Sequence, residues 1–210
     1  MIEEEVPVGF LSLETGRTPI AYRIISMYTD IPSNKLRSGF LSAAKQKSVY
    51  EANEELAKKK FFITDTPNLP LDELKAAMRR MVVHCGAGIL FIDYIGLVRL
   101  EGRELKEYEK QSIISKEIKA LARELCVPVI ALCQLNRDAE SGKPTLANIR
   151  GSGSIEQDAD LVIFIEGERN DGREESERKL VIEKNRNGPT GEVAVIFRRS
   201  TTLYMDKPVI

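Results

Sequence analysis

The sequence predicts an α/β domain with a mostly parallel, twisted sheet, helices on both faces and antiparallel strands at its C-terminal edge. Apolar segments of strand length alternate with helix-length segments up to residue 165. Such alternation is typical of βαβ crossovers, which give parallel strands covered on both sides. After residue 180 the pattern changes to short strands joined by turns, which indicates antiparallel pairing. We find no linker or repeat, so one domain spanning residues 1–210 is expected.

Composition excludes several classes of protein. Hydrophobic residues make up 42% of the chain, which is too much for a disordered protein, and no apolar run is long enough to span a membrane. The acidic N-terminus, MIEEE, is unlike a signal peptide, so a cytoplasmic protein is expected. The net charge is −1, so any nucleic-acid surface has to be a local patch. The three cysteines form no CxxC pair, which predicts free thiols rather than a zinc site or disulfides.

The N-terminal part predicts alternating strands and helices. Residues 6–13 form an apolar strand, and Pro19 begins a helix because a proline in the first turn loses no backbone hydrogen bond. Ser33 and Ser42 are the N-caps expected for two further helices, the second over residues 43–60. Residues 61–65 form a short strand. The next helix has an apolar stripe at helical spacing, made of Leu71, Leu74, Met78, Met81 and Val82.

The remaining elements follow the same logic. Residues 88–93 and 127–133 are apolar strands on either side of a long helix that ends near Leu125. Residues 138–153 form a polar loop that contains glycine, and residues 160–165 are expected to be a fourth buried strand. Three short C-terminal strands are predicted at residues 180–184, 191–197 and 202–206.

Three of the predicted buried strands end on a polar side chain, namely Glu14, Asp93 and Gln134. Ligands of open α/β sheets bind outside the carboxyl ends of the strands, so these groups are expected to converge on one crevice. One carboxylate can hold Mg²⁺ beside a nucleotide phosphate, a second can polarise the attacking water, and a glutamine can sense the γ-phosphate. The simpler interpretation is that polar residues end strands everywhere. Three suitable residues in one topology favour the nucleotide site.

Residues 184–189 have the sequence KNRNGP, a strand that runs into a tight turn. Lys184 and Arg186 at such a hairpin tip are either simply solvated, or they form an arginine finger that stabilises charge on a phosphoryl group in trans. The local sequence leaves both interpretations open.

Residues 136–155 form a polar loop that leads into a short helix and contains Arg137, Arg150, Gly151 and Gly153. Glycines and backbone N–H groups beside an arginine suit an anion such as a DNA phosphate, although loops rich in glycine and serine are common. Because no aromatic residues are interleaved here, contact with DNA phosphates rather than base stacking is expected.

Five segments together resemble the motor domain of DnaB-type replicative DNA helicases in order and spacing: FLSLE (10–14), IDY (92–94), ALCQLNR (131–137), GSIEQDAD (153–160) and KNRNGP (184–189). The resemblance runs from near residue 6 to the C-terminus. It implies a RecA-like P-loop NTPase core that uses ATP and Mg²⁺. It also implies assembly into a ring, commonly a hexamer, that encircles single-stranded DNA and moves 5′ to 3′. Primase and a helicase loader are the partners it implies.

The resemblance also assigns roles to individual residues. Glu14 matches the catalytic base, Asp93 the Walker B aspartate near Mg²⁺, and Gln134 the residue that couples the γ-phosphate to the DNA loops. Lys184 and Arg186 match the cationic pair that reaches the nucleotide of the neighbouring subunit. The segment that holds DNA phosphates contains Arg137, Arg150, Gly151 and Gly153.

The chain departs from the family pattern in two places. It contains no G-x-x-x-x-G-K-[ST] segment, so the loop that cradles phosphates is missing and no ATP hydrolysis by this chain alone is expected. In addition, Arg150-Gly151-Ser152-Gly153 stands where the family often has Arg-Glu-Ser-Gly. The chain is therefore expected to be either a truncated helicase motor domain or a shortened, non-catalytic homologue that binds DNA or partner subunits. Segments 153–160 and 184–189 disfavour a recombinase or a clock-type ATPase.

Overall fold

The computed structural model describes residues 5–101, 105–136, 143–149, 152–167 and 172–208. In chain order the elements are β1 (Val8–Ser12), α1 (Arg17–Thr29), α2 (Ser33–Ser38), α3 (Ala43–Ala57), β2 (Phe61–Thr64), α4 (Leu71–Val83), β3 (Ile89–Asp93), α5 (Glu107–Leu125), β4 (Val129–Ala131), α6 (Ser152–Asp158), β5 (Leu161–Glu166), β6 (Glu175–Asn185), β7 (Gly191–Arg198) and β8 (Leu203–Asp206). Short 3₁₀ turns cover Ile95–Leu97 and Leu146–Asn148. No helix among the described residues is long and apolar enough to cross a bilayer.

The chain divides into two compact units that interleave along the sequence. The first unit comprises Met1–Arg17 and Lys59–Ala159, and the second comprises Thr18–Lys58 and Asp160–Ile210. Each unit contains one of the two sheets, β2-β1-β3-β4 in the first and β5-β6-β7-β8 in the second.

The sheet of the first unit is entirely parallel, as predicted. Successive residues Ile89 and Leu90 are both buried, and they point to opposite faces of β3, so both faces of the sheet are covered. Helix α4 packs on β1 at Gly9, where a Cβ atom would lie 2.5 Å from Leu90 and 2.8 Å from the sulfur of Met81. Only glycine fits at that position.

The second unit corrects two predictions from sequence. The alternation of elements predicts β5 as a fourth buried strand of the parallel sheet, yet β5 pairs antiparallel with β6, for example at Phe164 and Val181. The antiparallel strands form their own sheet rather than an edge of the parallel one. The physical reason lies in burial, because Val162 and Phe164 are buried while the alternate apolar residues of β5 are exposed. An apolar run alone does not reveal that alternation.

Helices α1, α2 and α3 share a small apolar core in the second unit, centred on Ile25, Ile31 and Leu36. Ser42 caps α3 as predicted, since its hydroxyl accepts a hydrogen bond from the Lys45 N–H at 3.5 Å. Ser33 does not cap α2, because it is the first helical residue and Pro32 occupies the cap position. Helix α3 ends at Ala57 rather than residue 60, and Ala52 is its one fully buried residue.

We predict that Gly9→Ala lowers the stability of the chain by about 1–3 kcal/mol, because the added methyl group overpacks the contact between β1, Leu90 and Met81. The measurement is the midpoint of thermal unfolding followed by circular dichroism. Gly191→Ala is the matched control, because no atom lies within 4 Å of the added Cβ at this strand position. Equal midpoints for the two variants would contradict the prediction.

Candidate active site

Glu14 and Asp93 lie at the same edge of the parallel sheet. Strands β1 and β3 are adjacent and in register, with Ser12 opposite Asp93, and the Leu13 N–H donates to the Asp93 carbonyl at 2.7 Å. Glu14 follows directly and is exposed, whereas Asp93 is half-buried. The sequence-based expectation that these two carboxylates lie at neighbouring strand ends is met by this register.

Gln134 reaches the same edge from the next strand. Strand β4 pairs with β3 at Ala131 and Ile92, and the ladder continues beyond β4, since the Leu132 N–H donates to the Ile92 carbonyl at 2.9 Å. The Leu132 carbonyl in turn accepts from the Ile95 N–H at 3.1 Å. Gln134 lines a small cleft in which it is joined by Tyr94, Gln111, Cys133 and Ile155. The cleft therefore brings together the segments after β3 and β4 and the helices α5 and α6.

Two interactions that the sequence did not reveal shape the turn that carries Glu14. The hydroxyl of Ser12, which is almost fully buried, donates to the Thr15 carbonyl at 2.5 Å. Asp65, just after β2, accepts from the Arg17 N–H at 2.9 Å and from the Arg17 Nε at 3.2 Å. The backbone N–H of Arg17, followed by its guanidinium, lowers the pKa of the Asp65 carboxyl below its usual range. Glu14 thus sits between two anchored points of backbone.

Lys184 and Arg186 belong to the second unit. Lys184 lies in β6 opposite Val162, and Arg186 follows the strand directly. The Arg186 N–H donates to the Asp160 carbonyl at 2.9 Å, and its guanidinium contacts the Asp160 carboxylate at 3.1 Å. At the turn, the Asn185 side chain accepts from the Asn187 N–H at 3.2 Å and donates to the Pro189 carbonyl at 3.1 Å. The hairpin tip is therefore an ordered turn with its arginine held at the strand end.

Most of the predicted DNA loop lies outside the described residues, including Arg137, Arg150 and Gly151. Gly153 is exposed within α6, and nothing lies within 4 Å of the Cβ atom it lacks.

The described ends of that loop are joined. The Asn136 N–H donates to the Asn148 carbonyl at 2.8 Å, and the Asn148 side-chain amide donates to the Asn136 side-chain oxygen at 3.1 Å. Sequence reasoning missed this clasp, for which an asparagine at each end was the only available signal. The clasp begins two residues after Gln134, so the loop base continues the segment that lines the cleft.

The donor set fits Mg²⁺ only as a shared ligand sphere. No group of three or more His, Cys, Asp or Glu side chains that could hold a metal occurs within the described part of the chain. Magnesium commonly takes one or two carboxylates and completes its octahedron with phosphate oxygens and water. Asp93, at the end of an apolar strand, is such a carboxylate.

The thiol of Cys133, which lines the cleft beside Gln134, is predicted to react slowly. Burial raises the pKa of Cys133 to about 11, so its thiolate fraction at pH 8 is on the order of 100-fold below that of an ordinary cysteine. The reaction rate with a disulfide reagent measures this in the Cys85→Ser/Cys126→Ser variant. Cys126, which is exposed, is the control in Cys85→Ser/Cys133→Ala. Equal rates in the two variants would refute the prediction.

Sequence relatives point to one family. The model of the DnaB-like helicase C terminal domain matches residues 1–206. The replicative DNA helicase DnaB of Treponema pallidum (strain Nichols) is 38% identical over 206 residues, which cover 98% of this chain and 46% of that protein. The replicative DNA helicase DnaC of Bacillus subtilis (strain 168) is 37% identical over 209 residues, covering 95% of this chain and 45% of that protein. The chain thus spans about half the length of these relatives.

Solved structures agree with the sequence relatives. A DnaB-like replicative helicase studied with primase superposes with a TM-score of 0.89 at 26% identity, covering 99% of this chain and 52% of that one. A separate ATPase domain gives a TM-score of 0.89 at 27% identity, covering 98% and 76%. A KaiC-like protein from Pyrococcus horikoshii, with a TM-score of 0.61 at 19% identity, shares the fold alone. The predicted RecA-like fold class is confirmed, and the chain belongs to the DnaB-like helicase C-terminal domain family, a family of ATP-dependent enzymes.

Proposed function

We propose that this chain is motor-domain sequence of a ring-shaped replicative DNA helicase, which couples ATP hydrolysis to 5′–3′ translocation on single-stranded DNA and to duplex unwinding. The observation that carries the proposal is the convergence of Glu14, Asp93 and Gln134 at the C-terminal edge of one parallel sheet. A sheet edge of this kind is where open α/β folds bind nucleotides.

In the proposed mechanism, Glu14 is the general base. Its exposed carboxylate accepts a proton from the water whose oxygen attacks the γ-phosphorus, while the bond from that phosphorus to the β–γ bridging oxygen breaks. Asp93 holds Mg²⁺, which neutralises charge on the β- and γ-phosphates when it is bound. The Ser12 and Asp65 interactions keep the Glu14 turn in place, so the base does not have to be ordered at each turnover.

Gln134 is proposed to transmit the state of the γ-phosphate to the DNA loop. The support is its position, two residues before the Asn136–Asn148 clasp, and the packing of Ile155 of α6 in the same cleft. A shift of Gln134 toward phosphate would act on both ends of the predicted DNA-binding segment, which contains Arg137, Arg150, Gly151 and Gly153. Those residues are proposed to contact phosphates without reading the base sequence.

Lys184 and Arg186 are proposed to reach the nucleotide of a neighbouring subunit in a ring, commonly a hexamer. Asp160 holds the Arg186 guanidinium at the end of β6, which supports a resting position from which it is exchanged onto phosphate. A primase and a helicase loader are the proposed protein partners, in the cytoplasm.

A second candidate is a non-catalytic homologue that binds DNA or joins partner helicase subunits. One sequence observation favours it, because the 210 residues contain no G-x-x-x-x-G-K-[ST] segment to cradle phosphates. Arg186 could then complete the site of another chain without hydrolysis in this one.

For the chain by itself, we predict no saturable binding of a fluorescent ATP analogue with Mg²⁺ and no DNA-stimulated hydrolysis, because the main phosphate-binding loop is missing. The measurement is a titration with and without single-stranded DNA. Saturable binding that is lost in Asp93→Ala would contradict this prediction and show that another element cradles the phosphates.

The helicase proposal itself is tested in a chimera in which residues 1–206 replace the matching segment of the Treponema pallidum helicase. We predict DNA-stimulated ATP hydrolysis that falls about 10²–10⁴-fold in Glu14→Gln, because the general base is lost. Glu73→Gln, an exposed position on α4, is the control and is expected to keep full activity. A folded, hexameric chimera without ATPase activity would favour the non-catalytic homologue instead.

A further inference from the structure

One exposed stretch of the second unit has a charge composition unlike the rest of the protein. Residues 31–50 contain four lysines or arginines and no aspartate or glutamate, whereas the whole chain has 31 basic and 32 acidic residues. The four cations, Lys35, Arg37, Lys45 and Lys47, are all exposed, on the last turns of α2 and the first turns of α3. They form a local basic patch on a nearly neutral protein.

These cations are largely unneutralised. In the described part of the chain, Lys35, Arg37 and Lys45 form no ion pair, and Lys47 has only a long, exposed contact of 3.7 Å with Glu51. The nearest acidic residue on the other side, Asp30, is already bound to the Arg198 guanidinium at 2.8 Å. The positive charge is therefore available to an external anion.

An aromatic ring stands in the middle of the basic patch. Phe40, in the turn between α2 and α3, is 90% exposed, the most exposed large hydrophobic side chain of the described residues. Water contact on both faces of a phenylalanine ring gains the fold nothing, since its burial elsewhere would be favourable. The ring is accessible to a flat partner, and cations lie before and after it in the chain.

The turn that presents Phe40 is held at both ends. Gly39 adopts a left-handed conformation with φ of 74°, and its N–H donates to the Leu36 carbonyl at 3.3 Å. The Phe40 N–H donates to the Ser38 hydroxyl at 3.4 Å, and the Gln46 side chain donates to the Leu41 carbonyl at 3.1 Å. Hydrogen bonds from both helices thus fix the backbone on either side of the ring, so little ordering is needed when a partner binds.

We propose that this surface, formed by Lys35, Arg37, Phe40, Lys45 and Lys47, binds single-stranded DNA. A groove or patch of cations that follows the backbone, together with an aromatic platform for a base, is the combination that single-strand binding uses. An acidic peptide would use the cations but would leave the ring without a stacking partner. The surface is separate in sequence from residues 136–155, so it is a second DNA contact that goes beyond the proposed function.

Tryptophan fluorescence offers a direct test, because the natural chain contains no tryptophan. In Phe40→Trp the full chain carries one indole at the proposed stacking position. Titration with oligo(dT) is expected to quench its emission in a saturable manner, since stacking places a base against the ring. The matched control is Tyr108→Trp, at an exposed aromatic position flanked by Glu107 and Glu109, where no quenching is expected.

Affinity measurements with fluorescently labelled oligo(dT) provide the second arm. Phe40→Ala is expected to weaken binding about 5- to 150-fold, the usual loss for one stacked base. The triple variant Lys35→Ala/Arg37→Ala/Lys45→Ala is expected to reduce the slope of log affinity against log salt by about 2, because each phosphate contact to a single strand contributes about 0.7. Unchanged unfolding midpoints would show that both variants are folded, as the exposure of these side chains predicts.

Three outcomes would overturn the inference. They are no quenching in Phe40→Trp, equal quenching in Tyr108→Trp, or saturable quenching by poly-L-glutamate in place of DNA, which would indicate an acidic protein partner. Failure here is distinguishable from failure of the helicase proposal. Loss of DNA affinity in Arg150→Ala without quenching in Phe40→Trp would leave the predicted loop as the DNA site. An inactive chimera would not affect the quenching result.

Discussion

The site in the first unit depends on the in-register parallel pairing of three adjacent strands. Because β1, β3 and β4 run in the same direction, with Leu11 opposite Ile92 and Ile92 opposite Ala131, their carboxyl ends reach one edge together. A shift by one residue would turn each side chain to the other face, and burial on both faces forbids that shift. The same constraint that builds the core therefore also sets the positions of the residues that follow each strand.

Beyond the strand ends, side-chain hydrogen bonds to the backbone do the positioning. Ser12, Asp65 and Asn148 each bind a backbone group of a turn that leaves the sheet edge. Such bonds offer the chain a defined alternative to continuing a helix or strand. They are short and local, and each needs only one small polar residue. In consequence, the turn after β1 and the base of the predicted DNA loop are shaped by residues that take no part in the proposed chemistry.

How far the sequence predicts this protein depends on the range of the interaction. The parallel strands and the positions of Glu14, Asp93 and Gln134 follow from apolar runs and the alternation of elements. The pairing of β5 could not be predicted, because an apolar run of six residues does not show which of its side chains will be covered. The clasp between Asn136 and Asn148 was equally hidden, since two asparagines 12 residues apart carry no periodic signal. Pairing partners distant in sequence are decided by packing, which a local pattern does not contain.

The cations of the second unit fall into two groups with opposite electrostatic settings. Arg186 is bound by Asp160 through both backbone and side chain, so its guanidinium has a defined direction and part of its charge is already neutralised. Lys35, Arg37 and Lys45 have no carboxylate partner in the described structure and keep long, exposed side chains. A finger that must meet one phosphate at one moment needs the first arrangement, since orientation limits it. A surface that follows a flexible polyanion needs the second, because its binding comes from counterion release rather than from a single geometry.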